Sequence, residues 1–132
     1  MEDRRPRDVA LPRLMYTVRR SPHPTAEPLL SAWVLPGYVC LDGDLCTYSV
    51  EIIRSRLLDE FGPTSTPTGE LVVDLTWLRF IDSAGVRMLH DLAQQLAATG
   101  QRLTLHEPGR MVQRVLTIAG SYLRQTGHLV DP

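Results

Sequence analysis

The chain has 132 residues, 43% of them hydrophobic, which is the size and apolar content of one globular domain. Its formal net charge is -1, so no global field draws it to nucleic acid or to an acidic membrane. All fourteen basic residues are arginine, which excludes chemistry built on a lysine amine, from Schiff bases to the phosphate-binding lysine of a P-loop.

The two cysteines, Cys40 and Cys46, read as reduced and partly buried thiols. Nothing clusters with them to suggest a disulfide or a metal site. No apolar run approaches the ~20 residues of a membrane span, and the charged, proline-rich start lacks a signal-peptide core. A soluble, cytoplasmic protein without a membrane span is the expectation.

Residues 1–28 read as a flexible Pro/Arg-rich N-terminal arm, with Pro6, Pro12, Pro22, Pro24 and Pro28 breaking any long element. Within it, Leu14-Met15-Tyr16-Thr17-Val18 has the pattern of a short edge strand. A domain over 29–132 follows. Leu29 to Asp42 reads as a hairpin, with Pro36-Gly37 as its turn. A helix comes next, its buried face marked by Val50, Ile53, Leu57 and Phe61, and Gly62-Pro63 stops it. Residues 62–70 form a loop.

The run from Leu71 to Ala98 organises the chain. Leu71-Val72-Val73-Asp74 is a strand, Thr76-Trp77-Leu78-Arg79 a bend, and Phe80-Ile81 leads into Asp82-Ser83-Ala84-Gly85. The period then changes: Val86, Leu89, Leu92 with Ala93, and Leu96 with Ala97 mark one face of an amphipathic helix. Asp82 or Ser83 supplies the N-cap, and Thr99-Gly100 the stop. Leu103-Thr104-Leu105 is a further strand. Pro108 opens a third helix with Val112, Val115, Leu116 and Ala119 on one face and Gly120 as its end. Leu123 and Leu129, in the weakly patterned last twelve residues, are candidates to tuck against the core. Strands separated by helices pair in parallel through right-handed crossovers. The fold class is α/β: a small mixed β-sheet, built from an N-terminal hairpin plus parallel strands, packed with about three to four helices.

Ser83 is the residue on which chemistry could turn, yet it lacks a hydrolase setting. The surrounding D-S-A-G is not the G-x-S-x-G elbow. His90 lies seven residues along the same helix, roughly 10 Å away, too far for a direct hydrogen bond. The adjacent pairs His90-Asp91 and His106-Glu107 do not converge on one metal ion. Asp74 ends a strand, but a receiver-type phosphoacceptor site needs a later lysine, which this chain lacks. No cofactor, catalytic residue or metal site is expected, and Ser83 as an ordinary cap is the plain structural alternative.

The run VVDLTWLRFIDSAGVRMLHDLAQQL resembles the signature of the STAS family, the anti-sigma-factor antagonists of bacteria. Val72-Val73-Asp74-Leu75 and Phe80-Ile81-Asp82-Ser83-Ala84-Gly85 match its "D-L" and "F-I-D-S-x-G". Leu41-Asp42-Gly43-Asp44-Leu45 is similar to the family's earlier "L-x-G-E-L-D", and Gly109 to Gly120 to its later helix. The resemblance spans residues 29–122 and implies a single STAS-like domain acting as a non-enzymatic switch in transcription regulation.

In that family an anti-sigma factor that is also a serine kinase phosphorylates the serine after the motif aspartate, and the phosphorylated form lets the partner go. By resemblance, Ser83 is the phosphorylation site, and Asp44, Asp82, Ser83, Ala84, Gly85 and Arg87 form the partner-binding surface. A phosphatase acting on Ser83 is a further expected partner; nucleic acid is not. Cys46 stands where the family has an aspartate, which puts kinase docking or partner choice in question. The chain also stops soon after Gly120, which implies an open sheet edge or helix face that the N-terminal arm could cover. The alternative is a STAS scaffold, or a subunit of a sensory or lipid-transport assembly, without a phosphorylation switch.

Overall fold

In a computed structural model, residues 12–23, 26–61, 69–118 and the backbone of 122–123 and 129–130 are described. The strands are β1 (Arg13–Arg19), β2 (Pro28–Leu35), β3 (Tyr38–Leu45), β4 (Glu70–Asp74), β5 (Leu78–Ile81), β6 (Arg102–His106), β7 (Tyr122–Leu123) and β8 (Leu129–Val130). The helices are α1 (Val50–Glu60), α2 (Ser83–Ala97) and α3 (Arg110–Ile118). Six strands form one mixed sheet in the order β1-β2-β3-β4-β6, with β5 also paired to β3. The expected α/β fold is present.

The expected hairpin is β2–β3, closed between Leu35 and Tyr38. Pro36 presets its own φ and Gly37 takes φ +70°, the pairing a type II turn demands. On β2, Leu30, Ala32 and Val34 face the core; on β3, Val39, Leu41 and Leu45 do the same. The parallel part follows as the strand–helix alternation predicts: β3 pairs β4, and β4 pairs β6.

Two readings of the sequence need correction. The first is the arm. The short edge strand read at residues 14–18 is present as β1, paired antiparallel with β2, so the sheet begins inside residues 1–28. Apolar Met15, Tyr16 and Val18 give it something to bury, and Arg56 of α1 lies over the Tyr16 ring at 4.2 Å. Arg13 also pairs with Glu60 at the end of α1. Residues 1–11, 24 and 25 lie outside the described residues, as do Gly62-Pro63, Ala119, Gly120 and the side chains of Leu123 and Leu129.

The second is the bend before Ser83, which separates two strands. β4 runs beside Tyr38–Cys40 and β5 beside Gly43–Leu45, on the same edge of β3. The cause is local. Asp74 Oδ1 accepts from the Thr76 N–H at 3.0 Å and its hydroxyl at 2.6 Å, an aspartate turn that steps the chain along the edge. The Gly43 N–H donates to the Trp77 carbonyl at 3.2 Å and holds the step in place.

Tyr38 fixes the other oxygen of Asp74, its hydroxyl donating to Oδ2 at 2.6 Å. Burial, then this hydrogen bond and the Asp74 charge, hold the phenol well above the usual tyrosine range. A raised folded value means that the neutral phenol stabilises the fold. That contribution is complete below the unfolded value of ~10 and is lost as pH rises beyond it. Tyr38→Phe should therefore flatten the alkaline loss of stability above pH ~10, by up to about 1.4 kcal/mol per pH unit. Urea unfolding of both proteins at pH 9 and 11 measures this; equal slopes would refute it.

Both cysteines are free and buried, Cys40 within β3 and Cys46 just after it. One hydrophobic cluster joins the sheet to α1, α2 and α3. In α1, Ile53 and Leu57 are buried as expected, with Phe61 just beyond. In α2, Val86, Leu89, Leu92 and Leu96 are buried, together with Met88, which the i, i+3/i+4 reading did not include. Ala97, expected on that face, is exposed in the last turn. Gly100 takes φ +78°, and the Gln101 N–H closes on the Leu96 carbonyl at 2.9 Å, the bond that ends helices in a left-handed glycine. A fully buried leucine such as Leu89 contributes about 2 kcal/mol.

Candidate functional site at the start of α2

Parallel strands β3 and β5 end side by side, and the chain leaves each into a helix. The starts of α1 and α2 therefore share one end of the sheet. The Asp82 N–H donates to the Leu45 carbonyl at 3.3 Å and ties the two exits together. Asp82 is then the N-cap of α2: its Oδ1 accepts from the Gly85 N–H at 3.0 Å. Its Oδ2 reaches across to Thr47, accepting from the backbone N–H at 3.1 Å and the hydroxyl at 3.2 Å. One carboxylate thus caps one helix and holds the loop before the other.

With Asp82 as cap, Ser83 is the first helical residue and is exposed. It lines a cleft of roughly 270 Å³ between α1 and α2. Glu51 and Arg54 come from α1; Ala84, Arg87 and Asp91 come from α2. Exposed apolar side chains occur close by in sequence: Tyr48, 82% accessible, follows Thr47; Ile52 follows Glu51; Phe80 stands two residues before Asp82. Among the described residues, no group of three His, Cys, Asp or Glu could hold a metal ion.

A STAS domain family model matches residues 35–124, which takes in both helix starts and the cleft. This chain is a member of the STAS domain family. No curated protein sequence matches it. Among solved structures, it resembles a candidate anti-sigma factor antagonist of Thermotoga maritima at 18% identity and TM-score 0.56, covering 69% of this chain and 78% of that one. Unphosphorylated SpoIIAA, an anti-sigma factor antagonist, follows at 22% and 0.53, covering 67% and 82%. The murine Solute Carrier 26 A9 anion transporter, inward-facing, matches at 19% and 0.55, over 65% of this chain but only 14% of the transporter. At these identities the likeness is one of fold.

Within this STAS domain the six residues of the expected partner surface separate into groups. Ser83, Ala84 and Arg87 line the cleft. Asp82 is half-buried beside it, its carboxylate engaged as described. Gly85 is buried under the first turn of α2, against Leu45 and Ile81. Asp44 alternates with the core-facing Leu45, and its carboxylate is held by Arg20 at 3.2 Å and Arg79 at 3.8 Å. It does not line the cleft. Cys46, in the place of the family aspartate, is buried, and its N–H donates to Ser49 Oγ at 3.0 Å.

The sequence offered no signal for Thr47, Glu51 or Arg54. Glu51 and Arg54 reach the cleft, and Thr47 reaches Asp82, because β3 and β5 are neighbours, a tertiary fact. Only the Ser83–Arg87 spacing, four residues apart on one helix, could have been read in advance.

Proposed function

We propose that this STAS domain is a non-enzymatic anti-sigma-factor antagonist whose partner docks over the start of α2 until Ser83 is phosphorylated. The observation that carries this reading is the exposed Ser83 at the first position of a capped helix, lining a cleft between α1 and α2. Family membership supports it. SpoIIAA, a neighbour in fold, is known in both unphosphorylated and phosphorylated forms. The partner is an anti-sigma factor with serine kinase activity. Ser83 Oγ attacks the γ-phosphorus of the kinase's ATP; the new O–P bond forms as the bond to the β,γ-bridging oxygen breaks. The electron pair leaves with ADP, and the hydroxyl proton goes to a base on the kinase.

The phosphate adds about -1.5 to -2 charge at neutral pH. Asp82, Glu51 and Asp91 are already near, and two unit charges ~4 Å apart interact by about 4 kcal/mol at an effective dielectric of about 20, less where water screens them. The fold tolerates this because the site is solvated and the helix start is positive. A partner packed over Ser83 does not, since it would bury a dianion. Ser83→Ala should keep partner binding and abolish phosphorylation, whereas Ser83→Asp should weaken binding at least tenfold, about 1.4 kcal/mol. Calorimetric titration of the co-purified partner tests it; wild-type affinity in Ser83→Asp would end the switch reading. The murine transporter's likeness supports a second reading, a STAS scaffold in a transport or sensory assembly. Capture of transporter or sensor components, with no ATPase-fold kinase, would favour it.

A further inference from the structure

The cleft beside Ser83 contains two guanidinium groups, and their placement bears on what happens to a phosphate attached there. Arg87 stands four residues after Ser83 on α2, where side chains share a face with Cβ atoms about 5–6 Å apart. Arg54 comes from the facing wall, α1. In the unmodified protein Arg54 pairs with Glu51 at 3.3 Å; the Glu51 side chain is 79% exposed, so water screens that pair. Arg87 is exposed and makes no ion pair among the described residues.

Two amides of the first turn are committed. Asp82 Oδ1 takes the Gly85 N–H and the Asp82 carbonyl takes the Val86 N–H at 3.0 Å. A phosphate on Ser83 would also meet the carboxylates of Asp82, Glu51 and Asp91 around the cleft. Of the side chains that line the cleft, the two arginines are the cations that can answer that charge. Their planar forks match phosphate oxygens in pairs, and arginine–phosphate hydrogen bonds are stronger than neutral ones.

We propose that Arg54 and Arg87 form an intramolecular clamp that captures the phosphate of phospho-Ser83, with Arg54 exchanging its Glu51 partner for the phosphate. This deepens the switch reading and rests on Ser83 being the residue modified. The unmodified cleft offers a partner two cations and a hydroxyl; the modified cleft offers neither, because the phosphate and the arginines satisfy each other. The clamp would also offset the repulsion between the phosphate and the surrounding carboxylates. A carboxylate at position 83 is shorter and carries less charge, so Ser83→Asp engages the clamp poorly and should release the partner less completely than the phosphate does.

The test needs neither kinase nor partner. The full chain is made with phosphoserine installed at position 83 during translation, and the phosphate is titrated by phosphorus NMR. In the parent chain its second ionisation should lie below the usual ~6, and Arg54→Gln/Arg87→Gln should raise it by about half a pH unit or more. Each single variant should give part of the shift. Arg87→Lys, which keeps the charge but loses the fork, should fall between. Identical titrations in all the variants would overturn the clamp. Should the double variant fold poorly, Arg87→Lys and the single variants decide the matter. Failure here leaves partner release by phosphorylation standing; an intact clamp with no release of the partner would refute the switch reading instead.

Discussion

Gly85→Val should lower the melting temperature by on the order of 10 °C, about 3 kcal/mol, although valine is no worse a helix former than glycine. A Cβ at position 85 would lie 2.5 Å from the Leu45 carbonyl oxygen and 2.7 Å from Ile81 Cγ1. Ile81 could turn aside. The Leu45 carbonyl cannot, because it belongs to β3 and already accepts the Asp82 N–H. The first turn of α2 would have to lift, taking Ser83 away from α1 and loosening the Asp82–Thr47 bridge. Partner binding should fall with stability. Ala84→Val is the control: Ala84 lines the open cleft, so its cost should stay within about 1 kcal/mol. Thermal melts of the two variants check this, and equal losses would show that the close approach at Gly85 is not what the motif glycine serves.

Gly43→Ala should be comparably damaging, at about 3 kcal/mol or more, for two independent reasons. Gly43 has φ +128°, which a side chain strains against. A Cβ there would also lie 2.3 Å from the Leu29 carbonyl oxygen and 3.2 Å from Leu30 Cα, both backbone of the neighbouring strand. β3 has no slack at this point. It pairs Leu30 of β2 on one side, and on the other its register against β5 shifts between Gly43 and Asp44. Equilibrium unfolding in urea gives the cost. Hydrogen exchange gives its location, since the Gly43 and Asp82 amides, bonded to the Trp77 and Leu45 carbonyls, should lose protection first. A variant with wild-type stability would contradict the tight passage described here.

The two motif glycines thus act on the site from beneath. Gly43 lets β3 run close beside β2, and Gly85 lets α2 start directly over the end of β3. Between them they set where Ser83 emerges. Part of this was legible in the chain. The change from a strand run to a 3.6-residue period at Val86 marked α2, and the aspartate before Ser83 marked its cap. The Pro36-Gly37 turn and the apolar alternation around it marked the β2–β3 hairpin.

Other features were not legible, for identifiable reasons. The edge-strand pattern of β1 could be read, but not that β1 is tied to α1, because that depends on the remote residues Arg56 and Glu60. β5 looked like the tail of β4, since four residues carry too little periodicity to declare a new strand; only β3, long enough to pair both, separates them. Asp44 sits in the right motif at the right end of the sheet, yet strand alternation turns it away from Leu45's core side, where Arg20 and Arg79 hold it.

By itself, the sequence determined the order of the main strands and helices, the family signature, and a serine at the start of a helix, because periodicity, turn residues and caps act over a few neighbouring residues. The tertiary structure alone decided that Arg54 and Glu51 face Ser83, that Asp82 bridges two helix starts, and that Asp44 is engaged elsewhere. Those are contacts between segments far apart in the chain. They exist only because two parallel strands end side by side, and no local pattern encodes which distant side chain then comes within reach.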